Sequence, residues 1–586
     1  MRKKQYSPHH GSLSRFDRNV RATAGRFAYI GSGELGGKAH GLALVQGVLD
    51  SKLRDAFAPD ITVAIPALTV ITTDSFDIFM KQNGLVEVAY SDARDEVIAH
   101  AFQRASLPVQ LVGDLRAIVE HTHLPLAVRS SSLLEDAMFE PFASVYGTKM
   151  VPNNQPDADS RFRGLADAVK YVYASTFFKS ARNYMKATHH STRDEKMAVI
   201  IQDVVGTRFD ERYYPHISGV LRSYNFYPVS HATPEDGIVE LALGLGRTIV
   251  DEGVSWAFSP AYPRVDPPFK STQAMLKHTQ TRFWAVNMGR PPAYDPICET
   301  EYMVTADLGA AEFDGALPLI ASTYLPESDR VQIGVGDRGP RVIDFGPILK
   351  ADMLPLTPLL QQLKDVCEDM LDTMVEVEFA VRLPHERGAP AQFGFLQVRP
   401  MVVSEATVDI DPGELCGDRV LLSAETALGN GSIEDIRDVV YVVPDRFDTM
   451  KTREVAAELE KVNAGLVDAK RPYVLIGFGR WGTTDPLGGI PVDFGQISGA
   501  KVIVESSLPH LPFVLSQGSH FFHNVTSFKI LYFSIRHDAE RGIDWDWLAK
   551  QPARAEGGGL VRHVELASPL TVKVVGRTGL GVILHD

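Results

Sequence analysis

Hydrophobic residues recur at helical intervals near the start of this chain and at strand-like intervals further on. Between positions 38 and 57 the apolar side chains lie on one face of a helical repeat, which predicts a helix. The residues that carry this pattern are Leu42, Val45, Val48, Leu49 and Leu53. A continuous apolar run at 68–72 predicts a strand, and Asp74 or Ser75 is expected to cap the helix after it.

Strict alternation of apolar and polar residues follows between positions 375 and 381. The apolar set is Val375, Val377, Phe379 and Val381, and the intervening residues are Glu376, Glu378 and Ala380. A period of two puts both glutamates on one face of a strand and the apolar side chains on the other. The sequence therefore predicts a strand with one buried and one acidic face.

A second strand is predicted downstream, with residues 383–392 closing a hairpin. On that strand one face is expected to carry Phe393, Phe395, Gln397 and Arg399. The hairpin would then bring Glu376, Glu378, Gln397 and Arg399 onto one surface. Oxygen ligands suit Mg²⁺, and a guanidinium suits phosphate. An ordinary edge hairpin with a solvated polar face is the simpler interpretation of this pattern taken alone.

Two earlier motifs combine small residues with a cation. In the first, Gly36 and Gly37 allow close backbone approach, and Lys38 supplies a point charge for phosphate. In the second, an apolar run at 124–128 predicts a strand that ends at Arg129, followed by three serines that offer hydroxyls and amides. A turn with a surface lysine, and an arginine paired with a nearby carboxylate, would explain the same residues without a ligand.

Composition narrows the class of protein. The chain has 586 residues, 45% of them hydrophobic, which fits two to four globular domains. A net charge of −14 argues against a nucleic-acid-binding protein. The 3 cysteines lie far apart, and no apolar run approaches membrane-spanning length. We expect a cytoplasmic protein without membrane or nucleic-acid partners, and the sequence leaves its oligomeric state open.

Seven segments occur in the order found in the nucleotide-binding domain of phosphoenolpyruvate synthase and pyruvate phosphate dikinase, and residues 25–403 resemble that domain. The segments are 33–38 (GELGGK), 63–74 (VAIPALTVITTD), 128–136 (VRSSSLLED), 197–202, 218–220, 244–246 and 376–399. Rifampicin phosphotransferase and glucan water dikinase are similar through the same domain. The resemblance implies an α/β (α+β) protein with an ATP-grasp fold, in which two subdomains clasp ATP.

The resemblance also implies which residues hold the nucleotide. Lys38 and Arg129 would contact its phosphates, with Ser130 beside them. The stretch from Gln202 to Val205 would border the adenine. Family members usually carry Glu where this chain has Arg247, a departure that concerns contacts at the nucleotide's edge.

The metal and the transferring phosphoryl group are expected on the hairpin. By resemblance, Glu378 and Gln397 are the ligands of Mg²⁺, with Glu376 beside them. Arg399 resembles the arginine that stabilises the transferring group, and Arg129 assists it. Such catalysis consists mainly of positioning and charge neutralisation.

The expected organisation has five parts. They are an N-terminal arm (1–24), a first ATP-grasp subdomain (25–195), a second subdomain (196–403), a linker (404–416) and an additional C-terminal α/β domain (417–586). The swivelling-domain motif Gly-Gly-x-Thr-Ser-His-Ala does not occur, and no length remains for the phosphoenolpyruvate/pyruvate barrel. The chain is therefore not expected to be a complete phosphoenolpyruvate synthase.

The C-terminal domain contains two motifs of interest. Residues 477–482 (GFGRWG) fit GxGxxG, but Pro486 and two glycines follow, so no helix is expected and we reject a dinucleotide site. Residues 517–520 (QGSH) place His520 at a predicted helix start, where the helix dipole keeps an imidazole neutral and nucleophilic. Either His520 accepts phosphate, with His523 as a neighbour, or these histidines only pack.

These observations favour an ATP-dependent phosphotransferase of the kinase or dikinase type that uses ATP and Mg²⁺. Its acceptor would be a histidine or an unidentified small molecule. The main alternative is a regulatory module that senses ATP without chemistry. An ATP-grasp ligase is a further alternative that no particular residue supports.

Overall fold

The computed structural model describes residues 13–20, 27–135, 145–187, 195–250, 253–269, 271–384, 388–401, 408–483, 488–508, 528–539, 542–555 and 559–586. Within these ranges the chain is an α+β structure that contains six β-sheets. None of the helices in the described ranges is long and apolar enough to cross a membrane.

The first part of the chain builds a six-stranded sheet with helices on both faces. In chain order its elements are β1 (Ser14–Arg15), β2 (Phe27–Ile30), α1 (Gly37–Val48), β3 (Ile61–Ala64), β4 (Leu68–Ile71), α2 (Thr73–Gln82), α3 (Val86–Ala89), α4 (Asp95–Arg104), α5 (Val109–His121), β5 (Leu126–Ser132), β6 (Thr148–Val151), α6 (Ala158–Ser175), α7 (Lys179–Ala187) and β7 (Met197–Asp203). The strand order is β1-β2-β4-β7-β5-β6. Residues of α2, α4, α5 and α6 form one core with this sheet.

The second part of the chain builds another six-stranded sheet and two smaller ones. Its elements are β8 (Thr207–Phe209), β9 (Arg212–Tyr214), β10 (Ile217–Arg222), β11 (Ile238–Ala242), α8 (Arg247–Val250), β12 (Trp256–Phe258), α9 (Thr272–Lys277), β13 (Arg282–Asn287), β14 (Met303–Asp307), α10 (Leu308–Phe313), β15 (Ala321–Leu325), β16 (Arg330–Ile333), β17 (Arg341–Ile343), α11 (Gly346–Leu349), α12 (Leu356–Leu371), β18 (Val375–Arg382) and β19 (Ala391–Pro400). The three sheets run β12-β11-β10-β18-β19-β3, β14-β13-β9-β8 and β16-β15-β17.

The second large sheet contains one strand from the first part of the chain. β3 pairs in parallel with β19 in the second sheet, and β7 lies between β4 and β5 in the first. A division at residue 195 therefore separates β7 from the sheet in which it pairs. We call the first large sheet with its helices the first lobe, and the second large sheet with its neighbouring elements the second lobe. Because α1, α12 and both sheets contribute to one continuous hydrophobic core, the two lobes pack against each other beside the hairpin of β18 and β19.

The third part of the chain forms a nine-stranded sheet of its own. Its elements are β20 (Val420–Ala424), β21 (Ala427–Leu428), β22 (Gly431–Val442), α13 (Thr452–Asp468), β23 (Tyr473–Phe478), β24 (Arg480–Trp481), β25 (Gly489–Ile490), β26 (Ala500–Ser506), β27 (Leu531–Ile535), α14 (Trp545–Lys550), β28 (Ala553–Ala555), β29 (Val561–Val575) and β30 (Leu580–Leu584). β22, β23, β26 and β27 are parallel neighbours. After β23 the chain continues into β24, and no helix begins in the described residues that directly follow the GxGxxG match, as the sequence predicted.

This C-terminal sheet contacts both halves of the preceding structure. Lys179 of α7 forms an ion pair with Glu460 of α13 at 2.9 Å, and the Tyr184 ring lies 5.8 Å from the Phe494 ring. Beyond the end of β10, Phe226 and Tyr227 pack against the C-terminal hydrophobic core. Within the predicted linker, residues 408–416 are described, and Glu414 there forms an ion pair with Lys573 at 2.6 Å.

The predicted helix at 38–57 is confirmed in position but is shorter. α1 ends at Val48 and a π-helical turn, Leu49–Leu53, extends it; Leu42, Val45, Leu49 and Leu53 are all buried. Beyond that turn the chain must reverse to enter β3, so the helix cannot continue to residue 57.

The predicted cap of α2 is wrong. Thr72 occupies the cap position, and the Asp74 carboxylate instead accepts hydrogen bonds from the backbone and hydroxyl of Ser32, both at 2.9 Å. Asp74 therefore holds the loop before α1. Arg129 was expected at a strand end, but β5 continues to Ser132 because the three serines pair with residues 197–199 of β7.

Gly36 occupies a conformation that only glycine adopts readily. Its φ is 77° and its ψ is 168°, and a Cβ there would lie 1.7 Å from the Ser131 carbonyl oxygen. Gly36→Ala is expected to lower the free energy of unfolding by about 2–3 kcal/mol. Gly47 of α1 is the matched control, since a Cβ there meets nothing within 4 Å. Gly47→Ala is expected to raise stability by up to about 1 kcal/mol.

Calorimetric or chemical unfolding of the two alanine variants beside the wild type measures both effects. Wild-type stability in Gly36→Ala would contradict the assigned backbone geometry.

Candidate functional site: a cleft between two sheets

Lys38 lies in the first turn of α1, directly opposite the serine-rich end of β5. Its Nζ donates to the Glu135 carboxylate at 2.8 Å and to the Ser130 hydroxyl at 3.2 Å. The Glu135 side chain is fully buried, so the lysine has a fixed anionic partner at the helix N-terminus. Lys38 is thus a held cation rather than a mobile surface lysine.

The three serines after Arg129 stabilise the corner between α1 and β5, where Lys38 lies. Ser131 Oγ accepts from the Ala39 amide at 3.1 Å and donates to the Leu35 carbonyl at 2.9 Å, which ties α1 to β5. Ser130 Oγ donates to Glu135 at 2.8 Å, and the Ser132 amide donates to the same carboxylate at 2.8 Å. All three serines are buried.

A second buried carboxyl group, Glu195, stands behind Glu135. It accepts from the amides of Leu133 and Lys196 and from the Tyr146 hydroxyl, at 3.1–3.2 Å. Burial and the negative charge of Glu135 raise the pKa of Glu195 to about 7. Glu195 therefore changes its charge near neutral pH, beside the ion pair of Lys38 and Glu135.

The hairpin of β18 and β19 is confirmed, but a bulge changes its faces. Glu376 pairs with Arg399 and Glu378 with Gln397, whereas Phe379 pairs with Phe395, so Leu396 is one extra residue. The prediction that the two phenylalanines of β19 share a face with Gln397 and Arg399 is wrong for this reason. Phe393 and Phe395 lie in the core, and Gln397 and Arg399 lie on the glutamate side.

Arg129 connects the first sheet to this hairpin. Its Nη1 donates to the Leu396 carbonyl at 3.0 Å, and its Nη2 contacts Gln397 Oε1 at 2.7 Å and Glu378 Oε2 at 3.3 Å. A carboxylate oxygen and an amide oxygen thus converge on one cationic nitrogen. A metal ion is held by the same kind of hard oxygen pair, so Glu378 and Gln397 fit Mg²⁺.

Glu376 has a different environment from Glu378. One of its oxygens accepts a short hydrogen bond from Arg399 Nη2, and the other accepts from Arg222 Nε at 2.7 Å. Arg222 Nη1 also donates to Glu240 at 2.6 Å, and the Ser255 hydroxyl donates to Glu240 at 3.0 Å. Burial opposes the charge on Arg222, but Glu240 and Glu376 outweigh that effect and raise its pKa.

Gln202 and Val205 lie where the first lobe passes into the second. Gln202 pairs with Ala127 and Leu68, and its side chain is buried, with Nε2 donating no hydrogen bond to any of the described residues. A small apolar cluster lies beside the end of β7 and is separate from the hydrophobic cores of the two lobes. It comprises Ala127, Val204, Tyr213, Leu245, Val286 and Met288. Val205 packs against Gly394, since a Cβ built on Gly394 would lie only 2.5 Å from Val205 Cγ2.

Arg247 follows this cluster and faces a carboxylate. Its guanidinium carbon lies 5.6 Å from the centre of the Trp284 ring, and its Nη1 lies 3.6 Å from Glu299. Glu299 in turn accepts from the Thr148 amide at 2.9 Å, and Thr148 pairs with Arg129 across β5 and β6. The arginine that departs from the family pattern is therefore linked, through Glu299 and Thr148, to the strand that carries Arg129.

Sequence reasoning missed Arg222, Glu240 and Glu299. The first two were detectable, because each is a charged residue inside a strand that is otherwise apolar (ISGVLR and IVELA). Glu299 gives no such signal, since it follows a segment without periodicity. His520 and His523 lie outside the described residues, and within the described ranges no three His, Cys, Asp or Glu side chains cluster as a metal site.

Arg129 of the first sheet thus meets a carboxylate and an amide of the second sheet, with Lys38 on one side and Arg399 on the other. We call this region between the two sheets the cleft. This arrangement and the α+β fold are consistent with a nucleotide-binding domain of the ATP-grasp type. Residues 32–413 match the family model described as pyruvate phosphate dikinase, AMP/ATP-binding domain. That match covers more than half of the chain, and the chain belongs to this family, as the sequence resemblance predicted.

The raised pKa of Glu195 predicts a pH-dependent stability. Between the ordinary value of 4.5 and about 7, the folded protein keeps a proton that the unfolded chain has lost. The free energy of unfolding therefore falls as pH rises through this window, by about 2–3 kcal/mol from this one group. Glu195→Gln removes that loss, so the variant should gain stability relative to the wild type between pH 5 and pH 8.

Urea unfolding of both proteins at the two pH values gives the comparison. A stability difference that does not change with pH would contradict the assignment.

Proposed function

We propose that this protein is an ATP-dependent phosphotransferase of the pyruvate phosphate dikinase and phosphoenolpyruvate synthase type. The observation that carries the proposal is the contact of Arg129 with both Glu378 and Gln397, because it joins the cationic lobe to the carboxylate lobe at one point. Phosphate oxygens placed there would meet guanidinium and ammonium groups on one side and a metal-binding oxygen pair on the other.

The nucleotide's phosphates are assigned to the corner between α1 and β5. Lys38, Arg129 and Ser130 line this corner, and the N-terminus of α1 adds its positive dipole end. The adenine is assigned to the segment from Gln202 to Val205. The buried Gln202 amide and the neighbouring apolar cluster suit a flat, mostly apolar ring with polar edges.

Mg²⁺ is assigned to Glu378 and Gln397, with phosphate oxygens completing its coordination. When bound, Mg²⁺ would neutralise phosphate charge during transfer. Glu376 belongs beside them, and its two oxygens already accept from Arg399 and Arg222. We therefore assign Glu376 to hold Arg399 rather than to bind the metal directly.

In the reaction, a bond between phosphorus and a leaving oxygen of ATP breaks as a bond to the acceptor forms. Arg399 and Arg129 would stabilise the charge that develops on the transferring group, at positions fixed before reaction. The acceptor is a histidine or a small molecule. A module that only senses ATP would bind the nucleotide in the same cleft and release it unchanged, so turnover separates the two functions.

Titration calorimetry with MgATP, followed by chromatography of the nucleotides, tests the proposal. We expect binding and conversion of ATP to AMP or ADP by the wild type. Glu378→Gln should lower turnover by on the order of 100-fold while changing ATP affinity much less, because the lost charge matters most when phosphate charge redistributes. Glu368→Gln is the control; Glu368 lies on α12 and pairs only with Lys364, at 3.7 Å, among the described contacts.

Failure of the wild type to bind ATP would refute the proposal. Binding without turnover would favour the sensor, and wild-type turnover in Glu378→Gln would show that the acidic face of β18 is only structural.

We also propose His520 as the residue that accepts phosphate from ATP. Its support is the sequence, which places it after a small-residue turn in a segment between β26 and β27. Incubation with labelled ATP should give a label that is acid-labile and alkali-stable. That label should disappear in His520→Ala. It should persist in the matched control His523→Ala, in which only the neighbouring histidine is replaced.

A label that persists in His520→Ala, or no acid-labile label at all, would rule out this acceptor. A partner protein or a small molecule would then be the acceptor to seek.

A further inference from the structure

Three charged residues form one row across the second sheet. Arg222, the last residue of β10, pairs with Glu376 of β18, which pairs with Arg399 of β19. Each arginine donates to a different oxygen of the glutamate. The orientation of Arg399 is therefore set through Glu376, and that of Glu376 through Arg222.

Together with Glu240, which pairs with Arg222, the row is buried and electrically balanced. The side chains of Glu376 and Arg399 are 3% and 4% exposed, and those of Arg222 and Glu240 are 12% and 10% exposed. Two guanidinium groups and two carboxylates together carry no net charge. Without Arg222, two buried carboxylates would share Arg399 alone, and one of them would be left without a counter-charge.

Stability alone does not account for such a network. Buried ion pairs can often be replaced by apolar residues without loss of stability. In the part of the chain that the structure describes, the buried Arg222 Nη2 also finds no hydrogen-bond partner, which is a further cost. A fixed guanidinium at the site of phosphoryl transfer, in contrast, needs a rigid anionic support, because charge stabilisation is effective only when the groups are already in place.

We propose that Arg222 is a positioning residue for phosphoryl transfer. It holds one oxygen of Glu376 so that the other oxygen fixes Arg399, and Glu240 with Ser255 holds Arg222 in turn. This inference rests on the proposed function, since it assumes that Arg399 faces the transferring group. It adds a chain of support that begins two strands away from the hairpin.

Arg222→Met combined with Glu240→Gln gives the decisive variant. The double substitution removes one positive and one negative charge, so the remaining Arg399–Glu376 pair stays balanced and neither of these two residues is left as an unpaired buried charge. If Arg222 positions Glu376, the double variant should lose on the order of 100-fold in kcat for ATP turnover. Its KM for ATP should stay within about threefold of the wild type, because Lys38 and Arg129 still bind the phosphates.

Arg212→Met is the matched control. Arg212 lies on β9 and forms a comparable ion pair with Asp314 at 2.8 Å, in the four-stranded sheet away from the hairpin. Removal of this pair should lower the melting temperature but leave kcat within about twofold of the wild type.

The outcomes separate the two proposals. A wild-type kcat in the folded double variant would overturn the positioning role and leave Arg222 as a charge-balancing residue. A parallel loss of kcat in Arg212→Met would also overturn it, because the effect would then follow stability. No ATP turnover by the wild type would overturn the proposed function, and this inference with it.

Discussion

The bulge at Leu396 is the constraint on which the arrangement of the cleft depends. One extra residue in β19 turns Phe393 and Phe395 into the core while Gln397 and Arg399 face the glutamates. The bulged residue also presents its carbonyl to Arg129 of the other lobe. Since side chains alternate along a strand, removal of that residue would exchange the two faces on one side of it and destroy either the core or the polar surface.

The polar surface that results holds several charged side chains in a largely dry environment. Each of them has a specific partner: Lys38 has Glu135, Arg129 has Glu378 with Gln397, and Arg399 has Glu376. Removing a charged group from water costs on the order of several kcal/mol for each ion unless a partner compensates for the lost hydration. The compensation comes from strands of two sheets that are already rigid. The cleft can therefore present cations to an anionic ligand without first ordering them.

The sequence was most informative where local periodicity decides the structure. The helical repeat around Leu42 and Val45 placed α1, and the alternation at Glu376 and Glu378 placed β18, because each pattern reports burial of one face. The family resemblance placed the nucleotide-binding region, which the family match confirms. The assignments of individual residues to phosphate, adenine and metal remain predictions.

What the sequence did not reveal depends on long-range pairing. The bulge requires knowledge of which residues of β18 face β19, and the extension of β5 through Ser132 requires β7 as a partner. Arg222 stands out as a charge in an otherwise apolar strand, but its pairing with Glu376, 154 positions away in the chain, does not. None of these relationships leaves a local periodic signal, so they appear only when the sheets are assembled.

The end of strand β10 connects the charged row to the C-terminal core. Arg222 closes the strand at the charged row, and Phe226 and Tyr227, a few residues further on, are embedded against the C-terminal core. The same C-terminal unit is attached to the first lobe through Lys179 and Glu460. The C-terminal unit therefore contacts both lobes. If the lobes move apart to admit a ligand, they must stretch or break one of these contacts, so the C-terminal unit would share the energetic cost of that movement.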